Sequence, residues 1–331
     1  MVRRVKVLVT GAAGFIGSHY VRALLSGDLP GGARASVTVL DALTYAGNRA
    51  NLTPVADRDL TFVVGDICDP DIVDQMVAGQ DAIVHFAAES HVDRAIRGPA
   101  RFVNTNVLGT MNLLEAARRH GTPRFLHVST DEVYGSIESG SWTEGWPLAP
   151  NSPYAASKAS SDLLPLSYHR TYGLDVTVTR CSNNYGPYQF PEKLIPLFVT
   201  NLLDGKPVPL YGDGGNVRDW LHVADHCAGI QLALDKGRSG EIYHIGGGTE
   251  LTNIELTERL LKACGASWDM VRQVTDRPGH DRRYSLSVDK ARDELGYAPT
   301  VEFDQGLAET VAWYRENRSW WEPLKAPVTE R

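Results

Sequence analysis

Three side chains with reactive groups follow one another at the end of a predicted strand. The run Phe125 to Ser129 is typical of a buried strand, and Thr130, Asp131 and Glu132 come directly after it. Ligands of open α/β sheets bind at the carboxyl ends of the strands, so a hydroxyl and two carboxyl groups at this point indicate proton-transfer chemistry. The alternative is that the two carboxylates cap a helix or lie in a solvated loop.

A tyrosine and a lysine lie four residues apart further along the chain. On a helix, Tyr154 and Lys158 share one face, so the ammonium can lower the pKa of the phenol. This predicts a tyrosinate base near neutral pH. Taken alone, the short pattern is more often an ordinary surface pair. Its combination with the acidic end of a strand and an N-terminal glycine turn is much rarer, and it favours a catalytic site.

The N-terminus has the pattern of strand, glycine turn and helix. The apolar run Val5 to Thr10 leads into Gly11, Gly14 and Gly17, and an amphipathic pattern follows. Glycines here allow a tight turn and close approach to a pyrophosphate, which the helix N-terminus favours. A second predicted strand, Ser36 to Leu40, ends in Asp41, which can take both adenosine ribose hydroxyls and would repel a 2′-phosphate. The pattern therefore predicts NAD rather than NADP, and the alternative is that Asp41 caps the next turn.

The rest of the chain alternates strands with helices. This order predicts an α/β fold, a doubly wound parallel sheet of the Rossmann type with a smaller C-terminal lobe. The further predicted strands are Leu60 to Val64, Ala82 to Phe86, Val176 to Arg180 and Glu241 to Gly248, and the predicted helices include Ile72 to Val77, Phe102 to His120, one from Tyr154 that is interrupted at Pro165, Asn253 to Cys264, and Leu307 to Tyr314. We expect residues 1–182 plus roughly 220–248 to form the NAD-binding domain, 183–219 plus 249–324 the second lobe, and 325–331 a tail that frays.

Turn-rich segments of the second lobe carry an aromatic residue and basic residues. Tyr211 could stack on a base and Arg218 could pair with a pyrophosphate, while the turn Asp276 to Asp281 could also meet phosphate. Asp66, which follows the strand Leu60 to Val64, would suit the adenine amino group. For each of these residues the alternative is an ordinary surface position.

Composition excludes several classes of function. The 331 residues are 43% hydrophobic and carry a net charge of −7, which argues against nucleic acid or an anionic membrane as the main partner. No signal peptide or membrane span is predicted, so we expect a cytoplasmic protein. Cys68, Cys181, Cys227 and Cys264 form no close pair, and no histidine spacing predicts a metal site. We assign no catalytic role to the histidines.

Several motifs together carry a resemblance to a known family. Thr10 to Gly17, Ala87 to Asp93, Ser129 to Gly135, Tyr154 to Lys158 and Asn183 to Pro187 resemble the extended short-chain dehydrogenases/reductases and, within them, the dTDP-glucose 4,6-dehydratases, over essentially the whole chain. The triplet Thr130-Asp131-Glu132 is the specific part. Sugar-nucleotide epimerases of the same family typically lack the acidic pair, and GDP-mannose dehydratases have other residues in place of one or more of the three.

The resemblance implies a reaction cycle in deoxysugar biosynthesis. Tyr154, aided by Thr130, takes the proton of the sugar 4-hydroxyl while carbon 4 gives its hydride to NAD. Glu132 then removes the carbon 5 proton, Asp131 protonates the departing 6-hydroxyl, and the hydride returns to carbon 6. Lys158 lowers the pKa of the tyrosine and holds the nicotinamide ribose. Two neighbouring carboxyl groups with opposite tasks need different pKa values, which adjacent like charges tend to produce.

The resemblance also implies the lining of two binding sites and a homodimer. The dimer would form through the helices of residues 102–120 and 154–172. The substrate would be dTDP-glucose. The expected cofactor residues are Gly11, Gly14, Phe15, Ile16, Gly17, Asp41, Thr44, Asp66, Ile67, Ala87, Ser90, Thr105, Tyr154, Lys158 and Asn184, and the expected substrate residues are Ser90, Thr130, Asn183, Lys193, Leu194, Pro209, Tyr211, Arg218, Asn253, Arg277 and His280.

Two alternatives remain open from the sequence. A sugar-nucleotide 4-epimerase would keep Tyr154, Lys158 and NAD, but it has no use for Asp131 and Glu132. A non-catalytic dinucleotide sensor could use the same fold, because fold does not imply function. Such a sensor could dispense with the tyrosine and the lysine, and both are present.

Overall fold

The computed structural model describes residues 4–29, 35–122 and 124–325. Twelve strands lie in these residues: β1 Val5–Thr10, β2 Ala35–Asp41, β3 Leu60–Val64, β4 Ala82–His85, β5 Arg124–Thr130, β6 Val176–Cys181, β7 Asn183–Tyr185, β8 Val208–Tyr211, β9 Val217–His222, β10 Glu241–Ile245, β11 Glu250–Thr252 and β12 Val271–Val274. The helices are α1 Phe15–Ser26, α2 Pro70–Val77, α3 Val92–Arg97, α4 Pro99–Phe102, α5 Thr110–His120, α6 Pro153–Tyr172, α7 Leu194–Leu203, α8 Val223–Lys236, α9 Asn253–Cys264, α10 Asp289–Leu295, α11 Phe303–Glu316 and α12 Arg318–Trp321.

A seven-stranded sheet organises the described part of the chain. Its strand order is β10-β6-β5-β4-β1-β2-β3, and neighbouring strands within it are parallel. The order reverses between β1 and β4, which is the switch point where doubly wound sheets bind ligands. The predicted doubly wound Rossmann fold is therefore confirmed.

The sheet is buried on both faces, which explains the uninterrupted apolar runs. Val7 and Val9 of β1 pack into the core on the side of α1, α8 and α10. Leu8, between them, packs into the core on the other side, with α2, α5 and α6. Successive side chains of a strand point to opposite faces, so a strand covered on both faces must be apolar throughout.

The second lobe has small sheets of its own. One has the order β11-β9-β7, and β8 pairs with β12 in another. Helices α7, α9 and α11 pack around an apolar core that includes Phe198, Trp220 and Leu260. The chain returns to the large sheet through α8 and β10. The domain division given above stays a prediction.

Two predicted elements differ from the structure. Helix α6 continues through Pro165 instead of being interrupted there, and Pro165 itself is buried. Packing of Ala155, Leu166 and Tyr168 outweighs the hydrogen bond that a proline cannot donate. The predicted strand Glu241 to Gly248 was too long, because β10 ends at Ile245 and Gly248 has a φ of 74°.

The predicted helix Phe102 to His120 is helical but not uniform. A π-helical segment, Val103–Gly109, connects α4 with α5. At the C-terminus, Lys325 is held by a hydrogen bond of 2.8 Å to Asn201 Oδ1, and the rest of the predicted tail lies outside the described residues. Among the helices of the described ranges, none is long and apolar enough to cross a membrane.

Candidate active site

A cavity of about 920 Å³ lies at the carboxyl ends of the sheet strands and extends to the second lobe. It brings together every residue predicted for the cofactor and five of those predicted for the substrate. The cofactor residues in its wall are Gly11, Gly14, Phe15, Ile16, Gly17, Asp41, Thr44, Asp66, Ile67, Ala87, Ser90, Thr105, Tyr154, Lys158 and Asn184, and the substrate residues are Ser90, Thr130, Asn183, Lys193 and Leu194.

The glycine turn after β1 has no room for side chains. Gly11 has a φ of 71°, and a Cβ there would lie 2.6 Å from the Ala87 backbone. A Cβ on Gly17 would lie 2.6 Å from the carbonyl oxygen of Gly11. Helix α1 begins at this turn, and no side chain caps its N-terminus. Its first N–H groups are therefore available to a ligand at the cavity end of the helix. The turn thus fits a dinucleotide pyrophosphate.

Asp41, at the end of β2, accepts two hydrogen bonds from the backbone of the surrounding turns. Its Oδ2 accepts a hydrogen bond of 2.8 Å from the Ala13 N–H, and its Oδ1 accepts one of 2.8 Å from the Leu43 N–H. The carboxylate therefore orders the following turn. Each oxygen has a second lone pair, so ribose hydroxyls can still bind. Burial raises the pKa of Asp41, and the two backbone bonds oppose that rise.

The acidic pair lies on a short 3₁₀ turn, Asp131–Tyr134, directly after β5. The capping residue is Thr130, whose Oγ1 accepts from the Glu132 N–H, so neither carboxylate serves as the cap. Burial and the neighbouring charge of Glu132 raise the pKa of Asp131 well above its usual range. Burial also raises the pKa of Glu132, but Lys193, Arg277 and Arg218 oppose it. The two carboxyl groups thus have different environments, as expected for opposite tasks.

The environment of Tyr154 differs from the prediction. Burial, and then the charges of Glu132, Cys181 and Asp131, raise the pKa of its phenol well above the usual value, while a hydrogen bond with Thr130 lowers it. The prediction that Lys158 gives Tyr154 a lowered pKa is therefore wrong for the protein without a bound cofactor. The Lys158 ammonium donates to the carbonyl oxygen of Val128 at 2.9 Å, and burial lowers its own pKa. Ionising a buried phenol beside two carboxyl groups costs more free energy than the attraction of one ammonium group offsets.

Comparison with known proteins agrees with this geometry. The family profile described as GDP-mannose 4,6 dehydratase matches residues 8–310. A dTDP-glucose 4,6-dehydratase of Streptomyces niveus is 67% identical over 97% of this chain and 96% of its own length. The crystal structure of DesIV, a dTDP-glucose 4,6-dehydratase from Streptomyces venezuelae with NAD and TYD bound, has a TM-score of 0.95 and 65% identity over 97% of this chain and 100% of that chain.

The chain belongs to the dTDP-glucose 4,6-dehydratase family. More distant structures share the fold with other chemistry. A UDP-glucose 4-epimerase from Thermus thermophilus in complex with NAD has a TM-score of 0.86 and 34% identity, and it covers 95% of this chain and 100% of that chain. The fold alone therefore does not separate dehydratases from epimerases.

The other predicted substrate residues of this family member lie outside the cavity wall, in the second lobe. Arg218 of β9 donates to the carbonyl oxygens of Val217 and Asp281 at 2.7 and 2.8 Å, and its guanidinium lies 4.0 Å from the centre of the Tyr284 ring. Arg218 and Arg277 nevertheless act on the pKa of Glu132. The six residues are Pro209 and Tyr211 of β8, Arg218 of β9, Asn253 of α9, and Arg277 and His280 after β12.

A buried ionic network supports α6 beneath the site. Asp162, one turn after Lys158, accepts from Arg180 Nε at 2.9 Å and lies 3.3 Å from His127 Nε2. Burial lowers the pKa of His127 to about 4, so the ring is neutral at physiological pH. His85 lies between Thr10 and Thr110, 2.7 and 2.9 Å from their hydroxyls. These histidines have structural environments, and among the described residues no group of metal-ligating side chains is found.

The cavity wall also contains residues that sequence reasoning did not single out, among them Glu89, Arg101 and Glu192. Glu89 is buried and pairs with Arg101 at 2.8 Å. Asn106 of the π-helical segment fixes the backbone of Glu89 through hydrogen bonds of 2.9 and 3.0 Å. π-Helical turns are frequent at functional sites, but their cause here is tertiary. Glu89 lay in a recognisable motif, whereas nothing local to Glu192 indicated its position.

Proposed function

We propose that this chain is an NAD-dependent dTDP-glucose 4,6-dehydratase, which converts dTDP-D-glucose to dTDP-4-keto-6-deoxy-D-glucose and water. The observation that carries the proposal is the pair Asp131 and Glu132, whose carboxyl groups have different environments and face the same cavity as Tyr154. An enzyme that only oxidises and reduces carbon 4 needs no such pair. Elimination of water needs both an acid and a base.

The residues of the cavity fit NAD. The glycine turn and the start of α1 would hold the pyrophosphate, Asp41 the adenosine ribose, and Lys158 the nicotinamide ribose. When bound, NAD⁺ supplies the hydride acceptor for carbon 4, the hydride donor for carbon 6, and a positive charge that favours the tyrosinate. Homologous structures are in complex with NAD.

The protein groups provide the proton transfers. Tyr154 accepts the proton of the 4-hydroxyl, and the nearby Thr130 hydroxyl lowers the pKa of the phenol, which favours the phenolate. The resulting 4-ketone acidifies carbon 5, so a carboxylate suffices as the base. Glu132, which has Lys193 and two arginines around it, is the carboxylate of the pair. Asp131, which burial and Glu132 keep protonated, gives its proton to the leaving 6-hydroxyl.

Two isotope labels test the cycle. Substrate deuterated at carbon 4 should give product with deuterium at carbon 6, because the hydride has no route to solvent. Carbon 5 should take up deuterium from heavy water, because its proton passes through the exchangeable carboxyl group of Glu132. An epimerase would return the label to carbon 4 and a sensor would move none. Release of the label into free reduced cofactor would contradict the closed cycle, even if water were still eliminated.

We also propose that the protein is a homodimer. Apolar side chains are exposed on the two helices predicted for the interface, and they include Val103, Leu163 and Tyr172. Exposed apolar side chains on these two helices are what an interface between two copies would cover. A cytoplasmic location and the lack of nucleic-acid or membrane partners stay predictions from composition.

A further inference from the structure

Three segments of the chain, two loops and the helix α3, meet at the rim of the cavity through four side chains. Tyr45 follows β2, Arg94 lies on α3 after β4, and Phe190 and Glu192 precede α7. The guanidinium of Arg94 lies 3.7 Å from the centre of the Tyr45 ring, and Phe190 meets the same ring edge-on at 5.8 Å. We call these four residues the rim clasp.

Glu192 connects the charged members of the clasp. Its Oε2 lies 3.4 Å from Arg94 Nη2 and 3.7 Å from His91 Nε2. Burial raises the pKa of this carboxyl group, and the charges of Lys193 and Arg94 and the nearby Tyr45 hydroxyl oppose that rise. The side chain of Glu192 is 17% exposed and that of Arg94 is 40% exposed, so solvent reaches the pair from the arginine side.

The backbone on either side of the clasp is strained. Among the described residues, the non-glycine residues with positive φ are Leu43, at 48°, and Tyr188, at 69°. Leu43 lies two residues before Tyr45, and Tyr188 lies two residues before Phe190. Residues other than glycine rarely adopt a positive φ unless surrounding contacts hold the backbone in that conformation. Tyr188 is held between Arg22, 4.1 Å from its ring centre, and Trp313, 4.5 Å away between ring centres.

The clasp lies across the dinucleotide half of the cavity. Thr44 and Ala46, the neighbours of Tyr45, line the cavity, as do Phe190 and Glu192 themselves. Asp41 and the glycine turn line the same cavity. The clasp therefore connects the loop beside the adenosine site with a loop of the second lobe.

We propose that the rim clasp is a gate that retains NAD, so that its opening limits both entry and release of the cofactor. The proposal rests on the proposed function, because it takes the cavity as the NAD site. Opening must separate the Arg94–Glu192 pair and remove the guanidinium from the Tyr45 ring. A cofactor that must return the hydride to the sugar within one turnover benefits from such retention, since release of the reduced cofactor would leave the ketone intermediate without a hydride donor.

The test measures cofactor exchange without turnover. The fluorescent analogue etheno-NAD⁺ is bound to protein freed of its cofactor, and its association and its displacement by excess NAD⁺ are followed by stopped flow. The variants are Arg94→Gln, Glu192→Gln and the double variant. Arg97→Gln is the matched control, because Arg97 is exposed on the same helix α3 and belongs to none of the clasp contacts.

We expect each single variant to release the analogue about tenfold faster, as the loss of one charge-assisted or cation–π contact would allow. The double variant should release the analogue less than a hundredfold faster than the wild type, because both changes break the shared Arg94–Glu192 contact and their effects are then not additive. Association should accelerate as well, because an open gate passes the ligand in both directions. Arg97→Gln should exchange at the wild-type rate.

Several outcomes would overturn the gate. Wild-type exchange in both single variants would do so, and so would faster release with unchanged association, which indicates only a lost contact to the cofactor. If a charge variant does not fold, Tyr45→Leu decides, because it removes the ring that Arg94 contacts without changing a charge, and it should still accelerate exchange in both directions. A wild-type protein that does not bind etheno-NAD⁺ at all would instead contradict the proposed function.

Discussion

At the scale of single residues, the chemistry depends on two adjacent carboxyl groups that differ in their surroundings. Asp131 is 2% exposed and has the negative charge of Glu132 beside it, so its protonated form is favoured. Glu132 has three cationic side chains near it, which favour its ionised form. The side chain types alone do not decide which is the acid and which is the base.

Glu132→Gln should retain oxidation at carbon 4 and lose elimination. The amide cannot accept the carbon 5 proton, so dehydration should fall by about 10²- to 10⁴-fold, the usual contribution of a general base. Absorbance of the reduced cofactor should then accumulate on the enzyme after addition of dTDP-glucose. Glu138→Gln is the control, because Glu138 is exposed on the following loop, and it should behave as the wild type. Wild-type turnover of Glu132→Gln would refute its assignment as the base.

Asp41 should make the protein select NAD over NADP. Its buried carboxylate lies at the site expected for the ribose and would meet a 2′-phosphate with like charge. Binding of both dinucleotides to cofactor-free protein, measured by calorimetry, should show clearly weaker binding of NADP. Equal affinity would contradict this role of Asp41.

At the scale of elements, helix α6 is anchored to the sheet by charge. Asp162 is fully buried, and Arg180 and His127 lower its pKa to about 2, although burial opposes this. The pairing ties the catalytic helix to β5 and β6 directly below Lys158. It also makes this anchor sensitive to acid.

Asp162→Asn should lower the free energy of unfolding by about 3 kcal/mol at neutral pH, because it leaves the Arg180 charge buried without its partner. The pKa of Asp162 in the folded protein lies below its ordinary value of 3.8. The stabilisation that ionised Asp162 provides is therefore complete above pH 3.8, and it is lost as the pH falls through about 2. The difference between wild type and variant in chemical denaturation should therefore narrow in acid. A difference that stays constant with pH would contradict the assignment.

Asp175→Asn provides the matched control for this prediction. Asp175 pairs with Arg124 at 3.2 Å, but the two side chains are 35% and 22% exposed. Solvent screens such a pair, so its loss should cost less than about 1 kcal/mol. An equal cost for both variants would mean that burial does not set the strength of the α6 anchor.

At the scale of the whole molecule, the exposed apolar face of the π-helical segment and α6 should form the dimer. Leu163 is 58% exposed and Val103 is 49% exposed. Leu163→Glu should place a charge in the interface and shift the protein to monomers in sedimentation velocity experiments. Trp268→Glu is the control, because Trp268 is similarly exposed but lies in the second lobe. A monomeric wild type, or a dimer unaffected by Leu163→Glu, would contradict the interface.

Much of the molecule follows from local sequence pattern. The apolar run of β1, the glycine turn and Asp41 predicted the dinucleotide half, because strand period and turn chemistry depend on neighbouring residues. The order of strands and helices predicted the doubly wound sheet. Thr130, Asp131, Glu132, Tyr154 and Lys158 line one cavity, and the first three do so because parallel strands present their carboxyl ends at one edge.

Other properties were decided only by tertiary structure, because they sum contributions from distant segments. Tyr154 has a raised pKa, against the prediction from Lys158, because burial and the carboxyl groups after β5 outweigh the neighbouring ammonium. Helix α6 passes through Pro165 because its packing outweighs the local penalty. Glu192 reaches the cavity rim from the second lobe, and no local pattern specifies with which loop it will pair. The sequence thus determined which reactive side chains are present and in what order, and tertiary packing determined their charge states and their partners.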